Sequence, residues 1–235
     1  FDPDVQRPSS KGVQPLRAFP STRGEIFAYD VILFGDVRWR TLGATEQQSK
    51  EILKILKDWV AEGGGLGLVA GEAENPTQYL DTPLQDLLPV IVRPSDRANE
   101  LSKSVPFRVA PTEIGREHPI LSVLQDRPEK VDEIWREHDG WEWYWLYRAK
   151  GGLKPGAFAL ARVWNAPGAE FLDDRGEPAV AFAGMGFGKG RVFFSAIDQI
   201  SRIRMSVGDD YYGPFRDEAI RRLATNRLLG GNKRY

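Results

Sequence analysis

Apolar residues along this chain fall into short solid runs and one long stripe at helical spacing. Val31-Ile32-Leu33-Phe34 is an unbroken apolar run closed by Gly35-Asp36, the pattern of a strand buried on both faces. Thr45-Glu46-Gln47-Gln48 follows as a capping box, in which the Thr hydroxyl accepts from a free N–H of the first turn and Gln48 reaches back. Behind it Ile52, Leu53, Ile55, Leu56, Trp59 and Val60 recur on one helical face, while Lys50, Glu51, Lys54, Lys57 and Asp58 occupy the other. Gly63-Gly64-Gly65 stops the helix, because Gly takes the left-handed position past a helix end without steric cost. Leu66-Gly67-Leu68-Val69-Ala70 is a second buried strand, running into Gly71-Glu72-Ala73-Glu74-Asn75-Pro76. This order predicts a right-handed βαβ unit on a parallel sheet.

The flanking sequence is less regular. Residues 1–25 hold four prolines and several serines and charges, and read as an extended lead-in. With no initiator Met and no early strand, the expectation is a piece of a longer polypeptide, with one domain over 26–235. Thr77–Leu88 is a short amphipathic stretch broken by Pro83, and Val90-Ile91-Val92 a brief strand. Residues 93–155 change character and read as an insertion laid on the sheet. Within it Val105–Val109 looks like an edge strand because of Pro106, and Glu117-His118-Pro119-Ile120-Leu121 is expected to open a short helix. Trp135, Trp141, Trp143, Tyr144, Trp145 and Tyr147 then crowd together. Strand patterns return at Ala157–Val163, Ala179–Ala183 and Arg191–Ala196, the last two joined by a glycine-rich hairpin loop, Gly184–Gly190. Phe215–Leu229 reads as a final helix.

Composition narrows the chemistry. A net charge of -1 gives no global field for nucleic acid or an anionic membrane. No run approaches the ~20 apolar residues of a membrane span, so direct membrane insertion by this segment is not expected. The chain has no cysteine, which removes disulfides, thiolate metal sites and a cysteine nucleophile together. His118 and His138 are the only imidazoles, so a His-rich metal site is not available. The expectation is no metal and no cofactor.

Three stretches, Asp30–Asp36, Trp59–Gly71 and Gly188-Lys189-Gly190-Arg191-Val192-Phe193, resemble the class I glutamine amidotransferase-like superfamily. The nearest branches are the trehalose-utilisation-type proteins and the amidotransferase-like domains of large bacterial membrane proteins that also carry von Willebrand type A modules. His118-Pro119-Ile120 and Asp132-Glu133-Ile134-Trp135 also fit the trehalose-utilisation branch. The resemblance implies a three-layer α/β fold with a mostly parallel, flavodoxin-like sheet, here with an aromatic-rich insertion. In that family a strand and helix precede the first strand seen here. Working members place a Cys on the turn after the strand equivalent to Leu66–Ala70, and a His after that equivalent to Arg191–Ala196. This chain has Gly71-Glu72-Ala73 and Ile197-Asp198-Gln199 instead. A thioester mechanism needs a thiolate and a base; the resemblance therefore implies a pseudoenzyme rather than a glutaminase.

Several residues remain candidates for function. Glu72 and Asp198 could face one another across the crevice as a general base and its carboxylate partner, acting as a hydrolase or isomerase on a carbohydrate-like substrate. The commoner arrangement for such residues is a solvated turn carboxylate and an Asp that caps or salt-bridges locally. Gly71, Ala73, Gln199 and Arg202 border the same crevice. Trp141, Trp143 and Trp145 share one face of an extended segment, suited to a sugar or a protein partner if exposed and to clamping the insertion if buried. Gly184–Gly190 is one residue short of a Walker loop and is followed by a strand, so the hairpin reading stands. Arg202, Arg204, Asp209, Asp210, Tyr211 and Tyr212 read as a polar loop after the last strand. The functional expectation is a binding or interaction module, its partners being other domains of the same larger polypeptide, other proteins or a small polar ligand. The resemblance places it as a soluble domain of a membrane-anchored bacterial protein.

Overall fold

The computed structural model describes residues 16, 18–71, 75–96, 106–123, 133–137, 142–164 and 171–230. Six strands form one mixed sheet: β1 (Val31–Phe34), β2 (Gly65–Val69), β3 (Arg108–Pro111), β4 (Ala157–Trp164), β5 (Val180–Phe187) and β6 (Gly190–Ser195), in the spatial order β1-β2-β6-β5-β4-β3. β1, β2 and β6 pair in parallel, with Phe34 opposite Leu68 and Val69 opposite Ser195. β5, β4 and β3 extend this core antiparallel. The fold is α/β, as the pattern predicts, and the βαβ unit supplies its parallel core.

Helix α2 (Glu46–Ala61) forms where the stripe predicts, burying Ile52, Leu53, Leu56, Trp59 and Val60. Its cap differs in one detail. Thr45 accepts from the Gln48 amide, but the Gln48 side chain reaches back to the Ala44 N–H rather than to the cap residue itself. Short α1 (Arg23–Phe27) carries a full capping box between Thr22 and Glu25 and packs against α2. On the opposite face of the sheet lie α3 (Glu113–Glu117), α4 (Ser201–Val207) and the long α5 (Asp209–Gly230). The glycines of β2 permit this: a Cβ on Gly65 would stand 2.4 Å from the Leu223 carbonyl of α5, so only a bare strand lets that helix settle. Gly64 similarly accommodates the Trp59 ring, which a Cβ there would meet at 2.3 Å.

Five local expectations are corrected. β1 is buried on one face only, since it ends the sheet among the described residues and α5 lies over its neighbours; Leu33 is 57% exposed. Val90–Val92 is an isolated bridge from Val90 to Leu153, not a strand. Residues 117–121 close a helix rather than open one: Thr112 caps α3 and His118 ends it, Pro119 preventing continuation. The polar run 202–212 is helical, spanning α4 and the start of α5, with Gly208 at φ 80 as the break between them. Tyr211 is buried there, its hydroxyl accepting from Trp135 Nε1 at 2.6 Å and donating to the Leu121 carbonyl at 2.9 Å. The hairpin turn is also tighter than expected, with Phe187 opposite Gly190 and only Gly188 at positive φ.

The aromatic insertion is largely core. Trp135 packs edge-on against Phe182, Tyr211 and Phe215. Trp143 exchanges two backbone hydrogen bonds with Phe107 at 3.0 and 2.8 Å, and Trp143, Trp145 and Tyr147 are buried. No helix among the described residues is long and apolar enough to cross a membrane.

Candidate functional site at the ends of the parallel strands

Parallel pairing brings the exits of β1, β2 and β6 to one edge of the sheet. Register Phe34–Leu68 sets Asp36 level with Ala70, and register Val69–Ser195 sets Gly71 level with Ile197, beside Asp198. Open α/β sheets bind ligands at this edge.

A compact polar lock closes the β1 and β2 exits. The Asp36 side chain lies directly on Gly71, where a Cβ would come within 2.1 Å of it. Asp36 Oδ1 accepts from the Asn75 amide at 2.8 Å, and the Gly71 amide donates to the Asn75 carbonyl at 2.9 Å. Asn75 Nδ2 donates to the Val69 carbonyl at 2.6 Å and the Gly35 carbonyl at 3.3 Å. Its Oδ1 stays buried without a hydrogen-bond partner. The peptide between Asn75 and Pro76 is cis.

At the β6 exit, buried Ser195 folds back on the chain: its hydroxyl donates to the Ile197 carbonyl at 2.7 Å. Asp198 is exposed, while Gln199 and Arg202 are half-buried. Gln199 Oε1 and Arg202 Nε are both buried without hydrogen-bond partners among the described residues. The Arg202 guanidinium stands 5.1 Å from the centre of the half-buried Tyr144 ring, a cation–π contact. The Tyr147 amide donates to the Ala196 carbonyl at 2.8 Å, which fixes the aromatic segment beside this exit. Behind it, the Tyr147 hydroxyl and Thr77 hydroxyl share a 2.7 Å hydrogen bond, and Thr77 also donates to the Asp96 carbonyl at 3.0 Å. Burial pushes the Tyr147 hydroxyl's pKa up and raises that of the buried Asp96 carboxyl, the Arg93 amide opposing the latter in part.

The expected site residues therefore divide. Gly71, Asp198, Gln199 and Arg202 share the edge. Glu72, Ala73 and Trp141 lie outside the described residues. Trp143 and Trp145 are buried and present no face to solvent. Sequence reasoning missed Asp36, Asn75 and Tyr144. Asp36 and Asn75 each follow a strand that the hydrophobic pattern identifies, and position after a strand was the available signal. No group of three or more His, Cys, Asp or Glu residues among the described ones could hold a metal ion.

Among known proteins, residues 10–132 match the family model described as "putative glutamine amidotransferase". No curated protein matches the chain. Among solved structures, a cytoplasmic protein of Salmonella typhimurium LT2 superposes with a TM-score of 0.60 at 21% identity, over 87% of this chain and 76% of that one. A second cytoplasmic protein of Salmonella typhimurium gives a TM-score of 0.61 at 16% identity, over 88% and 76% respectively. At these identities the two structures are alike in fold. The family match covers more than half of the chain, which therefore belongs to that glutamine amidotransferase-like family.

Proposed function

We propose that this domain is a non-catalytic member of its family, a module that binds a small polar ligand or docks a protein partner at the exits of β2 and β6. One observation carries the reading: the two positions where the family's resemblance expects a thiol and an imidazole hold Glu72 and Asp198, in a chain without cysteine. No thioester can form on such a turn. What remains at the β6 exit is recognition chemistry, namely a buried amide oxygen on Gln199 and a guanidinium seated on Tyr144. A planar donor fork beside an acceptor suits a carboxylate- or amide-bearing ligand. The setting within a larger, membrane-associated bacterial polypeptide belongs to the same proposal and is supported by the family resemblance alone.

The test is a thermal-shift screen of the purified chain against amino acids, sugars, nucleotides and divalent ions, with an Arg202→Ala variant alongside. A ligand at ~100 times its dissociation constant stabilises the native state by about 2.7 kcal/mol. The proposal expects a stabilising compound whose effect disappears in Arg202→Ala. If no compound acts, docking of a protein is the remaining form of the proposal; if a stabilising compound is indifferent to Arg202, the site is misplaced.

A further inference from the structure

At the opposite end of the sheet, β6 begins and β5 ends in the tight turn at Gly188-Lys189, and α5 and α3 overhang the strands. An open basin of about 560 Å³ lies there, between Phe158, Phe193, His118, Arg191, Arg222 and the hairpin. That volume falls within the range of small-molecule sites. Its floor is bare backbone. Gly184 sits opposite Phe193 and Gly186 opposite Arg191, so both glycines face the same way as these side chains. A Cβ on Gly184 would strike the Phe158 ring at 2.5 Å, whereas one on Gly186 would meet nothing within 4 Å. The tip of the Phe158 ring thus occupies the space over one glycine, and the space above the other is empty.

The walls are cationic. Arg191 comes from β6, Arg222 from α5, and Lys189 from the turn, with no carboxylate among the described residues that line the basin. Among the described residues neither Arg191 nor Arg222 forms an ion pair, although eleven such pairs occur elsewhere on the molecule. Arg222 Nε is buried without a hydrogen-bond partner among the described residues. Two guanidiniums brought together without an acid disfavour the fold unless something anionic joins them. His118, at the end of α3, completes the wall, its ring 5.9 Å from that of Phe158.

We propose that this basin is a binding site for a small soluble organic anion, a phosphate or carboxylate on a ring-sized apolar body. Arg191 and Arg222 clamp the charged group by charge-assisted hydrogen bonds, and the body lies over Gly186 against Phe158 and Phe193. The site is separate from the crevice, being built on the ends of the strands where β6 starts. Burial, Arg222 and Arg191 lower the His118 pKa from 6.5 to about 4. A bound anion opposes the two arginines, so binding raises that pKa, and protonated His118 adds a further positive charge to the wall.

Isothermal titration calorimetry of the whole chain with phenyl phosphate tests the site, with inorganic phosphate and phenol as the two half-ligands. The expectation is one site for phenyl phosphate, with each half-ligand binding at least about tenfold more weakly. Arg191→Gln and Arg222→Gln should each weaken phenyl phosphate by about tenfold. Gly186→Val, whose side chain enters empty space, should abolish binding while the circular dichroism melt stays unchanged. Vesicles of phosphatidylglycerol should not retain the protein. Absence of phenyl phosphate binding overturns the proposal, as does binding indifferent to the three variants. Equal affinity for inorganic phosphate removes the apolar body, and retention on vesicles without phenyl phosphate binding assigns the basic face to a lipid surface instead.

Discussion

The two ends of the sheet spend their polar groups differently. At the exits of β1 and β2, Asp36, Gly71 and Asn75 hold one another by hydrogen bonds. At the hairpin end, Arg191 and Arg222 face a cavity with no carboxylate among its described lining residues. The first arrangement ties down the turn that, by the family resemblance, carries chemistry in working members; the second forms no ion pair among the described residues. Topology alone points to the first end, because parallel strands deliver their exits there. Unspent charge points to the second.

The sharpest way to break the comparison is to remove the lock. Asn75→Ala deletes the two side-chain donations to the Val69 and Gly35 carbonyls and should cost about 2 kcal/mol in urea unfolding. A loss below about 0.5 kcal/mol would mean that the turn is held by other contacts. The next effect is smaller and concerns pH. His118 is held neutral in the fold, with a pKa lowered to about 4, whereas the unfolded chain titrates near 6.5. The unfolded state therefore binds the extra proton first. Stability conferred by this group is full above about pH 6.5, declines as pH falls through that value, and levels off below about 4. His118→Gln should flatten that segment of the stability profile. The smallest effect is at the basin. Arg222→Gln relieves repulsion with Arg191 and should leave the melting temperature unchanged or raise it by about 2 °C. A clear drop would show that the guanidinium has a structural partner.

Much of the parallel core was legible because its signals are local. The stripe from Ile52 to Val60 and the glycines that end it define α2, and the solid run after them defines β2. β1 carries an equally solid run yet is exposed at Leu33, since an apolar run does not reveal whether a helix covers both faces. The stretch 202–212 reads as a loop because Gly208, Gly213 and Pro214 interrupt the helical pattern, and the aromatic anchor that holds it, Trp135 against Tyr211, is distant in sequence. The crevice residues Gly71, Asp198, Gln199 and Arg202 could be placed from strand order. The basin could not, because α3, β4, the hairpin and α5 contribute to it from four separate stretches. Its one local trace was the alternation of Gly184 and Gly186, which reads equally well as turn chemistry.

The central claim is that this family member recognises rather than transforms. Glutamine, the sugars and the nucleotides of the thermal-shift panel can be incubated with the purified chain and recovered for mass spectrometry. The account predicts that every compound returns unchanged, including those that stabilise the protein. Conversion of any of them, abolished by Glu72→Ala or Asp198→Ala, would contradict it.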